Sequence, residues 1–474
     1  MRILLVTGRL AEGEVRRIAR RLGVDVYVAD VDVASFITPS HLKDLDLRDY
    51  DLVLVPGLAK GDWKRLEEEK GVKIRLGPIH VCDLPLVFKH LDELELSHNV
   101  PACRLLGDLK TKETLKLVES IENGEFSIGN VRIGGRPKIV AEIVDAPELG
   151  EDELIEKIDY YLESGADIID LGIPIEYDPE RVRRAVRVAR DRCEALSIDT
   201  FSKKAMEIGV EKGVDMIMSV SWKNVECEEV ITRDLAVVAV DRNVEGLLKL
   251  VNRLKGRTDK VVADPILDPP LRVFESLMRY RRYRELDPDT PMLMGVGNVT
   301  ELIDADSIGI NALMACVAEE LGVELLFTTE ASVKTRGSVR ELKVASYMAK
   351  ASKIKGTPPK DLGLSLLVVK EKTRVEGGEP KGNVVMAKES EKFVRDPKGD
   401  FRIWIWKDRI VCEHERATIL GKSAKEILDT VIRLNLVSRL DHAGYLGREL
   451  MKAEIALKLG KNYVQDEELR FQNI

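Results

Sequence analysis

Apolar runs in the middle of the chain repeatedly end at polar residues, most of which carry a carboxylate or an amide. In chain order the runs end at Asp145, Asp170, Asp199, Ser219 with Ser221, Asp241, Asp264, Asn298, and Thr328 with Thr329 and Glu330. Carboxylates crowded into one cavity raise one another's pKa unless a ligand supplies hydrogen-bond donors or a cation. Two ligand classes fit: a divalent metal such as Mg²⁺, or a heterocycle whose edge carries adjacent N–H donors. A reduced pterin, whose exocyclic amine lies beside a ring N–H, is such a heterocycle.

These residues differ in how strongly they indicate ligand binding. Asp199 and Asp264 follow apolar strands and are predicted to contact the ligand, as is Asn298 in its Gly-x-Gly-Asn turn. Asp170 fits a ligand contact and a structural role equally well. Asp145 and Asp241 are predicted to cap the helices that follow them, because a carboxylate oxygen accepts hydrogen bonds from free helix N–H groups.

The segment 136–370 alternates apolar strands with helical stretches. Eight strand-like runs occur, namely KIVAEIVDA, ADIIDLGI, ALSIDTF, VDMIMSVS, LAVVAVD, KVVADPIL, PMLMGVG and VELLFTTE. Helical stretches such as DELIEKIDYYLESG and SIGINALMACVAEELG lie between nearly all of them. The repeats predict a central (β/α)8 TIM barrel in preference to a doubly wound open sheet. Chemistry in such a barrel lies at the C-terminal ends of the strands, where the polar residues occur.

Two flanking segments complete the predicted α/β architecture. Residues 1–130 alternate strands with helices and predict an open α/β domain of the Rossmann or flavodoxin type, without a Gly-x-Gly-x-x-Gly pattern. Residues 380–474 predict a small α+β domain, because FRIWIWKDRIVCEH alternates like two antiparallel strands joined at Lys407-Asp408 and is followed by helical stretches. Breaker-rich stretches at 124–137 and 376–383 mark the boundaries.

The composition excludes several classes of protein. Of 474 residues, 44% are hydrophobic and 33% are charged, with a net charge of −8, so a folded protein is expected and a nucleic-acid binder is not. The dense, mixed charge is typical of thermophiles. No membrane span and no signal peptide are predicted. The six dispersed cysteines indicate reduced thiols in the cytoplasm, and no metal site of histidines and cysteines is predicted. His80 and His442 are interpreted as structural.

Five motifs of the central segment resemble the pterin-binding barrels, a superfamily that contains dihydropteroate synthase and the methyltetrahydrofolate–corrinoid methyltransferases. The motifs are GADIIDLG, LSIDTFSKKAMEIG, GVDMIMSVS, VADP and MGVGNVT, in that order. The whole chain, with its C-terminal motif LDHAGYLGRELMKAEIALKLG, resembles the archaeal dihydropteroate synthase-like proteins. This resemblance implies a reduced pterin of the folate or methanopterin type as substrate or cofactor, and it makes a homodimer an expectation.

The resemblance also implies roles for individual residues. Asp199 and Asp264 match the two pterin-pairing aspartates. Asp170, chosen from its place at a strand end, is included with them among the predicted pterin-binding residues. The synthase's asparagine after the fourth strand falls on Met218, so Ser219 is expected to replace its contact. Asn298 matches the methyltransferase asparagine that contacts the ring near its methyl-bearing nitrogen, which makes Asn298 and Asp199 the candidate catalytic residues. The candidate anion-binding residues are Lys334 and Arg336.

The loops after the first two strands bear on the reaction. They read VDAPELGE and GIPIEYDPE, acidic and without the arginine that a diphosphate leaving group requires. Methyl transfer is therefore favoured, with a corrinoid on a partner protein as the expected acceptor. Synthase-type condensation of a dihydropterin with an arylamine, and a non-catalytic pterin carrier or sensor, are the alternatives. Mg²⁺ is compatible with the site, although no metal ligands are assigned.

Overall fold

A computed structural model describes residues 1–121, 124, 126–372, 382–389 and 393–469. The chain forms two compact units, Met1–Lys370 and Glu371–Ile474. The division into segments 1–130, 136–370 and 380–474 remains a prediction, and most of the breaker-rich stretch 376–383 lies outside the described residues. Within the described residues, no helix is both long enough and apolar enough to cross a membrane.

The first unit begins with the predicted open α/β fold. Its four parallel strands lie in the order β2-β1-β3-β4. The apolar sequences of β1 and β3 are buried, while α1 ends at Gly23, whose positive φ of 69° suits a residue without a side chain. The elements are β1 (Ile3–Thr7), α1 (Glu12–Leu22), β2 (Asp25–Val28), β3 (Leu52–Val55), α2 (Trp63–Lys70), β4 (Lys73–Leu76), α3 (Leu84–Lys89), α4 (Ala102–Leu105) and α5 (Asp108–Glu119).

A hairpin of β5 (Phe126–Ile128) and β6 (Val131–Ile133) leads into eight parallel strands. These are β7 (Lys138–Ile143), β8 (Ile168–Gly172), β9 (Leu196–Asp199), β10 (Met216–Val220), β11 (Ala236–Val240), β12 (Val261–Asp264), β13 (Leu293–Gly295) and β14 (Leu325–Thr329). They lie in the order β12-β11-β10-β9-β8-β7-β14-β13. A parallel bridge between Ala263 and Met292 joins the two ends of that series. The closed (β/α)8 barrel predicted from the sequence is confirmed, and the alternative of a doubly wound open sheet for this segment is wrong.

Helices surround the barrel and bury their apolar faces against the strands. Several begin at a residue whose side chain accepts a backbone N–H, as Asp178, Ser202 and Asn243 do. The connection from β10 to β11 contains a 3-10 stretch, Val225–Val230, in place of an α-helix. The helices are α6 (Glu151–Ser164), α7 (Pro179–Arg190), α8 (Lys203–Glu211), α9 (Val244–Leu254), α10 (Val273–Leu286), α11 (Gly297–Thr300), α12 (Ser307–Leu321) and α13 (Ser338–Lys355).

The hairpin closes the N-terminal end of the barrel. Ile128 and Ile133 are buried in one cluster with inward-facing strand residues such as Val140 and Met216. Asn130 N donates to the carbonyl oxygen of Glu194, just before β9, at 3.0 Å. The interior is therefore a packed core below the C-terminal mouth, as expected for this fold.

A buried ion cluster lies at the same N-terminal end. Arg136 binds Asp167 through two hydrogen bonds of 2.6 and 2.9 Å, and Lys343 Nζ lies 2.9 Å from Asp167 Oδ1. Asp167 also accepts the backbone N–H of Ile139, at the start of β7, at 2.8 Å. These charges hold the pKa of Asp167 well below its usual range despite its burial. The cluster fixes the entry into β7.

The second unit is the predicted small α+β fold. An antiparallel sheet of β15 (Arg402–Trp406), β16 (Arg409–His414) and β17 (Ala417–Gly421) packs on α14 (Ala424–Arg433) and α15 (Leu440–Leu459). The turn between β15 and β16 falls at Lys407-Asp408, as predicted. Ser423 and Glu426 form a capping box at the start of α14.

Candidate active site

Four carboxylates lie at the C-terminal ends of the barrel strands, on the side of the mouth. Glu142 is on β7, Asp170 on β8, Asp199 on β9 and Asp264 on β12. Strand register places Glu142 beside Asp170, and Gly172 beside Asp199. Because alternate residues of a strand face the interior, these side chains continue the same inward rows as the apolar core below them.

Three of these residues form a tight group that we call the carboxylate trio: Glu142, Asp170 and Asp199. One carboxylate oxygen from each lies within 4.8 Å of the others. Gly172 leaves room for the trio, because a Cβ atom there would lie 2.6 Å from Glu142 Oε1. The strand register thus brings the predicted site residues Asp170 and Asp199 together, and it places Glu142, which was not predicted, beside them.

Glu142 is a residue that the sequence analysis missed. The apolar run predicts that the first barrel strand ends at Asp145, whereas β7 ends at Ile143. The signal was the two-residue period itself, since Glu142 follows the inward-facing Val140 by two positions. The alternation of inward-facing residues along the strand identifies Glu142, whereas the last polar residue of the run does not.

Asp170 is the most buried member of the trio, with an exposure of 0%. Ser197 Oγ donates to its Oδ1, whereas its Oδ2 has no hydrogen-bond partner within the described residues. Burial, followed by the charges of Asp199 and Glu142, raises the pKa of Asp170 well above its usual value. Leaving a buried carboxylate oxygen without a partner costs free energy, so a proton, a hydrogen-bond donor or a cation bound to Asp170 Oδ2 would stabilise the site.

The other carboxylates are also harder to ionise than usual. Burial, then the charges of Asp199, Glu301 and Asp145, raises the pKa of Glu142 to about 7. Burial raises the pKa of Asp199, which a hydrogen bond from Ser219 partly offsets. Burial also raises the pKa of Asp264 to about 6. All four carboxyl groups are therefore harder to ionise than in water, a pattern that clusters at functional sites.

Asp264 is held in place by its own loop and by α10. Its Oδ1 accepts the backbone N–H of Ile266 at 2.7 Å, and the Tyr280 hydroxyl lies 2.9 Å from the same oxygen. The charge of Asp199 contributes to the raised pKa of Asp264, so the two aspartates share one electrostatic environment. Ile266 adopts a positive φ of 65°, a strained conformation of the kind found at functional sites.

Ser219 lies next to Asp199 because the register of β10 shifts between Ile217 and Val220. Its φ of 66° is also positive. The buried Asn224 fixes this turn, since its Nδ2 donates to the Ser219 carbonyl oxygen at 3.2 Å. The irregular strand end turns the Ser219 hydroxyl toward Asp199.

The remaining predicted site residues lie on the loops of the mouth. Asn298 is exposed in α11, and its Nδ2 donates to the Leu267 carbonyl oxygen at 2.8 Å. Lys334 Nζ lies 2.8 Å from Asp304, and Arg336 follows directly after the short 3-10 helix Val333–Thr335. Binding of anions by Lys334 and Arg336 stays a prediction.

The capping roles predicted for Asp145 and Asp241 are wrong. Asp145 makes no capping hydrogen bond and instead adopts a positive φ of 51°. Asp241 Oδ1 accepts the N–H of Asn243 at 2.9 Å, and Asn243 is the residue that caps α9. Three residues, 241–243, separate β11 from α9, and the last of them, Asn243, is the cap.

The two histidines interpreted as structural have carboxylate neighbours away from the trio. His80 Nε2 lies 3.6 Å from Asp361, and in the second unit His442 Nδ1 lies 3.3 Å from Asp396. The structural interpretation of both histidines stays a prediction.

Glu142 gives the stability of the protein a specific pH dependence. Its pKa in the folded chain, about 7, exceeds the ordinary value of 4.5, so the folded chain keeps a proton that the unfolded chain loses. The free energy of unfolding therefore falls as pH rises through this window. Glu142→Gln is expected to be more stable than the parent at pH 8 by about 1–2 kcal/mol, and equally stable at pH 4. Urea unfolding in EDTA at both pH values checks this; an equal difference at both would contradict it.

Comparison with known proteins gives three kinds of match. A family model described as PterinBD-DUF4346 matches residues 395–466. The protein printed as "Uncharacterized protein MJ0107" of Methanocaldococcus jannaschii is 38% identical over 523 aligned residues, which cover 99% of each chain. The solved 7,8-dihydropteroate synthase of Vibrio fischeri is 15% identical, covering 46% of this chain and 94% of that one, with a TM-score of 0.38. The Thermus thermophilus dihydropteroate synthase in complex with 6HMPPP is 21% identical, covering 44% and 92%, with a TM-score of 0.37.

Proposed function

Since this chain belongs to the family of the M. jannaschii protein MJ0107, within the pterin-binding superfamily, we propose that its barrel binds a reduced pterin of the folate or methanopterin type and transfers a group to or from it. The observation that carries this proposal is the pair Asp199 and Asp264. Both carboxylates lie at the mouth of the barrel, and the charge of one raises the pKa of the other.

The chemistry of a pterin edge suits these two aspartates. The edge presents an exocyclic amine beside a ring N–H, and a carboxylate accepts such donors in charge-assisted hydrogen bonds. The site is already desolvated by burial, so donors are worth more there than in water. The raised pKa values of Asp199 and Asp264 lead to the same conclusion, because N–H donors stabilise the ionised carboxylates that burial disfavours.

Within this function we favour transfer of a methyl group from the pterin. The arginines nearest the first two loops are occupied with structure: Arg184 donates to the carbonyl oxygens of Pro147 and Leu149 at 2.9 and 2.7 Å, and Arg181 pairs with Glu148. A departing diphosphate would need such donors for itself. Asn298 is exposed at the mouth with its amide nitrogen anchored, which suits a contact to the methyl-bearing ring nitrogen.

The surface around the mouth supports an acceptor carried on a partner protein. Large apolar side chains on the segments that follow β8, β9, β12 and β14 are solvent-exposed, with exposed fractions of 71% to 104%; they are Ile175, Phe201, Leu271, Phe274 and Val333. Exposed apolar residues grouped around an opening are typical of a docking surface. A corrinoid protein is the partner we propose.

Two parallel assays test the reaction. The purified chain is incubated with a methylated reduced pterin and a reduced corrinoid, and separately with a dihydropterin diphosphate, an arylamine and Mg²⁺. Demethylation of the pterin with methylation of the corrinoid is expected in the first assay only. Condensation in the second would make the chain a synthase, with Lys334 and Arg336 as the diphosphate ligands. Tight binding without turnover in either assay would indicate a carrier or sensor.

Tyr280 tests how Asp264 is prepared for the pterin. Its hydroxyl lies 2.9 Å from Asp264 Oδ1 and 2.8 Å from the Leu293 carbonyl oxygen. Tyr280→Phe removes a hydrogen bond that lowers the pKa of Asp264, so that carboxylate should ionise less readily. We expect pterin affinity at pH 7 to fall by about 1 kcal/mol and to recover at higher pH. Titration calorimetry at pH 7 and 9 measures both; a loss independent of pH would contradict this role.

A further inference from the structure

The carboxylate trio has the donor set of a metal site. Glu142, Asp170 and Asp199 come from three adjacent strands, and one oxygen from each lies within 4.8 Å of the others. Oxygen ligands with no nitrogen or sulfur are those that Mg²⁺, Mn²⁺ and Ca²⁺ prefer. Rigid strands carry all three ligands, so the arrangement does not depend on a loop closing.

A second observation, the unpaired Oδ2 of Asp170, points to ligand binding at the carboxylate trio. Asp170 is fully buried and directed into the trio, yet its Oδ2 has no hydrogen-bond partner within the described residues. Ser197 already occupies its Oδ1. Buried polar atoms are nearly always satisfied, so an unpaired carboxylate oxygen indicates a group that binds there. Gly172 keeps the space beside Glu142 open, because a side chain at that position would collide with Oε1.

The closeness of the three carboxylates also favours a cation. Carboxylates whose oxygens lie within 4.8 Å of one another repel when they are ionised, and a divalent cation relieves this repulsion. Protonation is the competing way to relieve it, and a trio that stays protonated would bind no metal.

We propose that Glu142, Asp170 and Asp199 bind one hard divalent cation of the Mg²⁺ or Mn²⁺ class at the base of the pocket. Asp199 then contacts the cation through one oxygen and the pterin through the other. The cation site stands independently of the pterin, whereas this bridging role of Asp199 rests on the proposed function. Cation and pterin are therefore expected to strengthen each other's binding, since both contact Asp199 and the cation would hold that side chain in position.

The test uses the full-length chain, stripped with EDTA and titrated with Mn²⁺ at pH 7.5. Calorimetry and the electron paramagnetic resonance signal of free Mn²⁺ report the stoichiometry and affinity. We expect saturable binding of one Mn²⁺ per chain and competition by Mg²⁺. Glu142→Gln should weaken Mn²⁺ binding by at least about tenfold. A thermal melt in EDTA confirms that the variant is folded.

Asp145→Asn is the matched control. Asp145 contributes to the raised pKa of Glu142 but is not one of the trio, and asparagine tolerates its positive φ. Mn²⁺ affinity should change by less than about threefold in this variant. Absence of saturable binding, or equal affinities in Glu142→Gln and the parent, would overturn the cation site. Cation binding without any pterin binding would instead remove the proposed function, so the two failures are distinguishable.

Discussion

Replacing Asp264 or Asp199 with alanine is expected to weaken the binding of a reduced pterin by about 1.5–3 kcal/mol, roughly a tenfold to a hundredfold loss of affinity. Each substitution removes the acceptor of a charge-assisted hydrogen bond in a desolvated pocket. Because burial raises the pKa of both aspartates, their ionised forms lower the stability of the folded chain. We therefore expect affinity to fall without a matching loss of stability. Titration calorimetry and urea unfolding of the same preparations measure the two quantities.

Asp241→Asn serves as the control for these variants. Asp241 also ends a barrel strand, but its side chain is bound to the N–H of Asn243, an interaction that asparagine can keep. Its affinity for the pterin should match that of the parent chain. Unchanged affinity in both Asp199→Ala and Asp264→Ala would exclude the proposed pocket. A uniform loss in all three variants would point to the charge of the mouth rather than to specific hydrogen bonds.

Replacing Arg136 with methionine is expected to lower the free energy of unfolding by about 3–5 kcal/mol, because it removes the bidentate partner of Asp167, whose side chain is largely buried. Lys343 would remain as a single-point contact. The cost comes from leaving a buried charge incompletely paired, and it falls on the junction that fixes the start of β7. Urea unfolding at pH 7 measures the loss.

Arg136→Lys is the companion variant. Lysine keeps the positive charge but cannot form the two parallel hydrogen bonds of a guanidinium, so a loss smaller than that of the methionine variant is expected. Because the cluster lies at the closed end of the barrel, folded protein of either variant should keep its affinity for a pterin. A methionine variant as stable as the parent would show that Lys343 compensates Asp167 unaided.

Local periodicity made most of the fold predictable from the sequence. Eight apolar runs separated by helical stretches indicated a barrel, and each run contains one of its eight strands, although β7 ends before Asp145. Closure is different, because the bridge between Ala263 and Met292 depends on the twist of the whole sheet and leaves no local pattern. The number of repeats in the sequence favoured a barrel over an open sheet, and the bridge between Ala263 and Met292 shows that the barrel is closed.

The site was predictable where a polar residue interrupts an apolar strand at its last position. Asp199 and Asp264 are of this kind, and both lie at the ends of their strands. Glu142 was missed because it lies one residue inside the end of β7, where a polar residue further along drew attention. The place of Ser219 depends on a register shift in β10, which arises from tertiary packing and has no signature in the residue types.

The hairpin that closes the lower end of the barrel leaves the carboxylates with one route of access. A flat ring seated on Asp199 and Asp264 would lie beneath whatever molecule reacts with it, so the second reactant can arrive only after the first. Departure reverses the sequence, and the deeper molecule leaves last. If the proposed transfer reaction holds, this geometry predicts ordered kinetics, in which an excess of the outer reactant slows the release of the inner one.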